Sequence, residues 1–322
     1  MTTYRFASSK PNFHKPRFKL FVPFMLFIGI CLGSCASPSS NLAPTTVASK
    51  DAPAFTATAA ATLEPGDSQH SISVDGLDRS YVLHIPPGVA ESEPAPVVIV
   101  LHDVTHTISE TRSWTKFDEL SDNNSVVVVY PKGVANSWNS GGCCGMALED
   151  NLDDVKFVSQ ILTDLEKMIT LDPKRIYAAG AGNGGMMAYR LACETSGTFA
   201  AIATVGGPLS YDQCQPENAV AVIHIHGLDD PRIPYAGGEM FPSVEPGIEK
   251  WVQWNGCSDT PSVDVLGAIT HTAYPDCELN ATVELYTIDG LEHAWPVPSG
   301  AGEQSFPATQ TIWDFFVAHS KQ

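Results

Sequence analysis

The stretch Ile176 to Arg190, IYAAGAGNGGMMAYR, leaves few folds open. Apolar residues of strand character run into Gly180-Ala181-Gly182-Asn183-Gly184, and apolar residues at helical spacing follow. Small residues packed this densely at a strand-to-helix junction are what a sharp, strained turn needs. In the G-x-S-x-G form of that turn the middle residue lifts a serine hydroxyl above the edge of a sheet. Here the middle residue is Gly182, which has no side-chain oxygen. The sequence therefore specifies the turn and omits the attacking atom.

The rest of the chain supplies a sheet for that turn. Val97–Leu101, Val126–Tyr130, Ile176–Ala179, Ala200–Val205, Val220–Ile225 and Val283–Ile288 are apolar runs without polar alternation. Such runs suit strands buried on both faces. Between the second and third, Val155, Val158, Ile161, Leu162, Leu165 and Met168 recur at helical spacing, and Asp153 and Asp154 are placed to cap the start. Strand, helix and strand in alternation predict an α/β fold, a mostly parallel sheet with helices on both faces. An opening antiparallel hairpin is expected where Ser71–Val74 and Tyr81–Ile85 flank Asp75-Gly76. One domain, from about Gln69 to the end, accounts for all of this, without an internal repeat.

Before that domain the composition changes. Arg5, Lys10, Lys15, Arg17 and Lys19 precede the apolar run Leu20–Leu32, the charge and length pattern of an export signal. Thirteen residues are short for a membrane-crossing helix, which needs about 20. Leu32-Gly33-Ser34-Cys35 reads as a lipobox, so residues 1–34 are expected to be removed and Cys35 acylated, tethering the protein to a membrane surface. Residues 35–68, rich in Ala, Ser, Thr and Pro, read as a linker. The whole chain carries 18 basic and 36 acidic residues, a formal charge of −18, and the leader takes five of the basic ones and no acid. That balance excludes a nucleic-acid partner, which needs a basic face. Nothing asks for a second subunit, and a monomer is expected.

Eight cysteines include Cys31 in the leader and Cys35 at the lipobox, leaving Cys143, Cys144, Cys193, Cys214, Cys257 and Cys277. An even number in an exported chain predicts disulfides. Cys257 with Cys277 would close a local loop and contribute roughly 3 kcal/mol in the chain-entropy account; Cys193 with Cys214 follows. Cys143 and Cys144 either join each other or exchange with the rest. No cysteine or histidine spacing suggests a metal.

Beside the glycine-rich turn stand Ser137-Trp138-Asn139, Cys143-Cys144-Gly145, Asp153-Asp154-Val155, His226-Gly227 to Asp230, Val252 to Cys257 and His293-Ala294-Trp295-Pro296. Taken in order, from about Ser71 to the C-terminus, they resemble the secreted polyhydroxybutyrate depolymerases and feruloyl esterases. The resemblance implies an α/β-hydrolase fold, ester hydrolysis by serine, histidine and aspartate, and no cofactor. It places Gly182 at the nucleophile position, Asp230 at the acid and His293 at the general base. The oxyanion donors it implies are the backbone N–H groups of Val104 and Asn183. Asp103 stands where the family has glycine, putting a carboxylate beside a site meant to stabilise negative charge. Trp138, Trp254 and Trp295 are expected near the mouth of a cleft, with Trp138 and Trp295 as candidate ligand contacts. Two readings remain open: a tethered pseudoenzyme that binds a polysaccharide, hydroxycinnamate or polyester, or a working ester hydrolase with another nucleophile, such as Cys144, or activated water.

Overall fold

The computed structural model describes residues 64–89, 93–298 and 305–321. The leader, Cys35 and most of the expected linker lie outside them. The description opens with an antiparallel hairpin, β1 (Gly66–Val74) and β2 (Leu77–Ile85), so β1 takes up the last residues expected in the linker. Asp75 and Gly76 both have positive φ, which the tight two-residue turn requires and an Asp-Gly pair tolerates.

The chain continues through β3 (Ala95–Leu101), α1 (Ile108–Thr115), α2 (Phe117–Asn124), β4 (Val127–Pro131), α3 (Gly145–Glu149), α4 (Asp154–Leu165), β5 (Leu171–Ala181), α5 (Asn183–Glu194), β6 (Ala201–Val205) and β7 (Ala221–Gly227). It closes with α6 (Glu245–Trp254), β8 (Ser262–Leu266), β9 (Ile269–Tyr274), β10 (Val283–Ile288) and α7 (Ala308–Ala318). One ten-stranded sheet results, ordered β1-β2-β4-β3-β5-β6-β7-β10-β9-β8. Its centre, from β4 to β10, is parallel; both edges are antiparallel. The six apolar runs of the sequence correspond to those six central strands, buried on both faces except in β10, where Glu284, Tyr286 and Thr287 are half-buried.

Alternation along β3 shows how the layers form. Val97, Ile99 and Leu101 face a core filled by Phe157 and Ile161 of α4, Met187 and Leu191 of α5 and Trp251 of α6. Val98 and Val100 face the other, filled by Phe117 of α2 and Ile312 and Phe316 of α7. Phe157 is fully buried, and its truncation to alanine is expected to cost about 3–5 kcal/mol. Asp153 caps α4 through a bond from the Lys156 N–H. Asp154, expected to share that duty, is instead buried in an ion pair with Arg79 at 2.7 Å. The helix ends at Leu165, and Met168 and Ile169 close a turn back onto the Leu165 carbonyl. The cysteines pair as Cys143–Cys144, Cys193–Cys214 and Cys257–Cys277.

Candidate functional site

The turn between β5 and α5 consists of Gly182 alone, at φ 49° and ψ −118°. That conformation is costly for any residue with a Cβ. The Gly182 N–H donates to the Val205 carbonyl at 2.8 Å, and its carbonyl accepts from the Met186 N–H at 3.0 Å. One turn on, a Cβ at Gly184 would stand 2.5 Å from the His102 carbonyl oxygen, so a glycine lets α5 approach β3. These glycines fix the turn whether or not residue 182 bears a nucleophile.

Asp103, just past the end of β3, fills the space next to that turn. Its Oδ1 accepts from the backbone N–H of Val104 at 2.7 Å and of Asn183 at 2.8 Å. A Cβ on Gly182 would stand 2.5 Å from Asp103 Cγ and closer still to Oδ1. The two positions are therefore sterically complementary: the carboxylate occupies the volume into which a side chain at 182 would project. The two N–H groups expected as oxyanion donors converge on one oxygen, and that oxygen belongs to Asp103.

A brace holds the carboxylate there. His102 Nδ1–H donates to the Asp103 carbonyl, and its Nε2 accepts from the Gly133 N–H, each at 2.9 Å. Burial holds the His102 pKa below its ordinary value, consistent with that neutral tautomer. Trp138 Nε1–H donates to the His102 carbonyl at 2.9 Å, and the Asn183 side chain clamps the Trp138 backbone N–H and carbonyl at 2.7 and 3.0 Å. This corrects the expectation for Trp138: it is fully buried and secures the loop carrying Asp103 instead of facing a cleft. Trp254 likewise packs against Trp251 at the core.

On the opposite side His293 Nδ1 donates to Asp230 Oδ2 at 2.6 Å, and Nε2 donates to Asp103 Oδ2 at 3.1 Å. The imidazole lies between two carboxylates. Burial alone would lower its pKa, but the hydrogen bonds and charges of Asp103 and Asp230 outweigh burial and push it up to about 9. His293 is thus an imidazolium at neutral pH. Burial works to raise the Asp230 pKa, but His293 and the N–H groups of Arg232 and Ile233, which donate to Oδ1 at 2.8 and 2.9 Å, leave it lowered.

The acid loop has its own support, which periodicity could not reveal. His226 Nε2–H donates to the Ile233 carbonyl at 2.8 Å, which leaves Nδ1 to accept from His224 Nε2–H at 3.0 Å. His224 Nδ1 then accepts from the Tyr189 hydroxyl at 3.0 Å. One carbonyl fixes the direction of every bond from α5 to the turn holding Asp230. Burial depresses the pKa of both histidines, which keeps the chain neutral.

Gly182, Asp103, Asp230 and His293 therefore meet at the β5, β3, β7 and β10 ends, and Asp103 and His293 line a cavity of about 520 Å³. Trp295 lines it, with its Nε1–H bonded to the Thr309 hydroxyl at 3.0 Å. His106, Trp114, Pro231 and Arg232 also line it and were not foreseen. A clue was present: Thr107, four residues after Asp103, and Glu110 form a capping box that starts α1, the helix carrying Trp114. Cys144, the candidate thiol, is bonded to Cys143 and offers no thiolate. Among the described residues no group of three or more His, Cys, Asp or Glu is placed to hold a metal ion.

Residues 79–233 match the family model described as esterase PHB depolymerase. NocK of Nocardia uniformis subsp. tsuyamanensis, which carries the name of an esterase, is 30% identical over 237 residues, 69% of this chain and 69% of that one. The chain belongs to this family. Feruloyl esterase B of Piromyces equi is 26% identical over 255 residues, covering 74% of this chain, and the match spans 44% of that longer protein. The structure superposes on the acetyl xylan esterase from Aspergillus awamori with a TM-score of 0.60 at 13% identity, covering 78% of this chain and 99% of that one. That likeness speaks to the α/β-hydrolase fold alone.

Proposed function

We propose that this chain is a family member that keeps the fold and a ligand pocket but does not turn over esters through an acyl-serine intermediate. The observation that carries this reading is the seat of the Asp103 carboxylate. Acyl transfer needs an attacking oxygen beside the histidine and two vacant N–H donors for the oxygen of the tetrahedral intermediate. Asp103 Oδ2 takes the first place and Oδ1 the second. Removing the serine of a comparable triad costs about 10⁶ in turnover, and the residual catalysis of about 10³ to 10⁴ over water depends on an open oxyanion hole. A carboxylate in that hole removes the residue as well.

The ligand class follows from relatives named for feruloyl and acetylxylan esters, which points to an ester-bearing polysaccharide, a hydroxycinnamate or a polyester. Trp295 and Trp114 suit an aromatic or sugar ring. The lipobox and linker support a protein held at a membrane surface through Cys35. The test is turnover of p-nitrophenyl acetate and methyl ferulate by the purified domain, alongside quenching of tryptophan fluorescence by ferulate. Turnover at background with saturable quenching is expected. Rapid turnover abolished by His293→Ala would overturn the reading.

A second reading, hydrolysis by a different nucleophile, is favoured by one observation: a carboxylate stands beside a protonated histidine at the rim of a cavity.

A further inference from the structure

We propose that Asp103 is a carboxylate nucleophile and that the centre it forms with His293 and Asp230 opens an epoxide to a vicinal diol. The proposal rests on the preceding reading only in that serine chemistry is absent. Its starting point is that the two departures from the family pattern fit each other in space. Asp103 reaches its seat because residue 182 lacks a Cβ, and that seat is shaped by five groups: two backbone donors, His293, His102 and Trp138.

The orientation of the carboxylate decides which electrophile suits it. With Oδ1 in the oxyanion hole, a substrate carbonyl has nowhere to place a developing negative charge, so esters are poor partners. Displacement at a saturated carbon creates no oxyanion on that carbon and needs no hole. Once Oδ2 is alkylated, the carbonyl oxygen of the resulting aspartyl ester is Oδ1, already 2.7 and 2.8 Å from two N–H donors. The hole that is useless to an incoming ester is correctly placed for hydrolysis of an ester of Asp103 itself.

The steps balance. A lone pair on Asp103 Oδ2 forms a bond to an epoxide carbon while the ring C–O bond breaks, and the departing oxygen takes the Nε2 proton of His293. This leaves a hydroxyalkyl ester of Asp103 and a neutral imidazole held by Asp230. Water then attacks Cγ, gives its proton to Nε2, and the negative charge gathers on Oδ1. Collapse breaks the Cγ–Oδ2 bond as the leaving alkoxide regains a proton from Nε2. The remaining carboxyl proton passes to His293, restoring carboxylate and imidazolium. The net reaction is epoxide plus water to diol. A departing halide would instead need N–H donors of its own, and the two nearest are already committed to Oδ1. Trp114, Trp295 and Pro231 on the cavity wall favour an aryl or alkyl substituent on the ring.

The mechanism predicts where the oxygen of water goes. In a single turnover of styrene oxide by excess protein in H₂¹⁸O, the label should appear in the peptide containing Asp103 and be absent from the diol. Asp103→Asn keeps the shape and can still accept from both backbone N–H groups; it should lose about a thousandfold or more in diol formation, with an unchanged circular dichroism spectrum. No diol formation by the wild type, or label in the first-turnover diol with Asp103 unlabelled, overturns the proposal. Ester turnover by the wild type would sink the earlier reading and leave the labelling result to decide this one.

Discussion

The centre has two halves, and they differ in how they relate to the fold. In the Asp230–His293 half one carboxylate oxygen holds the imidazole, and the half is secured from beneath by Tyr189, His224 and His226. The Gly182–Asp103 half has a bare turn with a carboxylate beside it, and it is equally well braced, by His102, Trp138 and the side chain of Asn183. A half that had merely decayed would leave an empty turn and an unsatisfied hole. Here the space and both donors are filled by one carboxylate, so the comparison teaches that Gly182 and Asp103 fit as a unit.

Of the two halves, breaking the Gly182–Asp103 one should have the larger effect on stability. Gly182→Ser places a Cβ against Asp103 Cγ at a backbone conformation unfavourable to it. A loss of about 2–4 kcal/mol is expected in urea unfolding, from overpacking and backbone strain together, and Asp103→Gly in the same chain should recover the overpacking part. Breaking the Asp230–His293 half costs less: Tyr189→Phe leaves His224 Nδ1 buried without a donor, for about 1–3 kcal/mol. Equal losses from both changes would mean that Asp103 swings aside readily and that the fit is loose.

The link between the halves is His293, and pH reads it. Its folded pKa of about 9 lies above its ordinary 6.5, so the stabilisation is fully present below pH 6.5 and is lost as pH rises through about 9. Asp103→Asn should move the His293 titration, followed by proton NMR, toward the ordinary value and flatten that loss. His106, 3.7 Å from Asp103 Oδ2, and His226, 3.7 Å from Asp230 Oδ2, face the same two carboxylates, so their resonances are assigned separately from that of His293. An unmoved His293 titration would show that Asp230 alone sets it.

The smallest effect concerns the tryptophans. Trp295→Phe should weaken ferulate quenching several-fold, by the roughly 0.5–1.5 kcal/mol of an aromatic contact, whereas Trp138→Phe should act on stability by freeing the His102 carbonyl. The reverse pattern would return Trp138 to the pocket.

Much of this was legible in the chain. The parallel strands announce themselves because short apolar runs rich in β-branched residues are too brief for a buried helix. The hairpin β8–β9 does not, because all of β8 is exposed and its residues answer to solvent. Asp230 and His293 were legible from strings at strand ends, and Gly182 from the turn. Trp138 was misplaced because a tryptophan in a loop looks the same from sequence whether its ring meets ligand or a carbonyl. The fit of Asp103 to Gly182 was legible only as two separate changes; that each makes room for the other is a fact of distance between β3 and the β5–α5 turn.

The central claim is tested most directly by kcat/KM for p-nitrophenyl acetate with four proteins: wild type, Gly182→Ser, Asp103→Gly and the double variant. The wild type and both single variants should stay near background, since one change lacks an open hole and the other lacks an attacking oxygen. The double variant should exceed the sum of the singles by a hundredfold or more, about 3 kcal/mol of coupling in the transition state. Additive singles, or a Gly182→Ser protein as active as the double variant, would contradict the account.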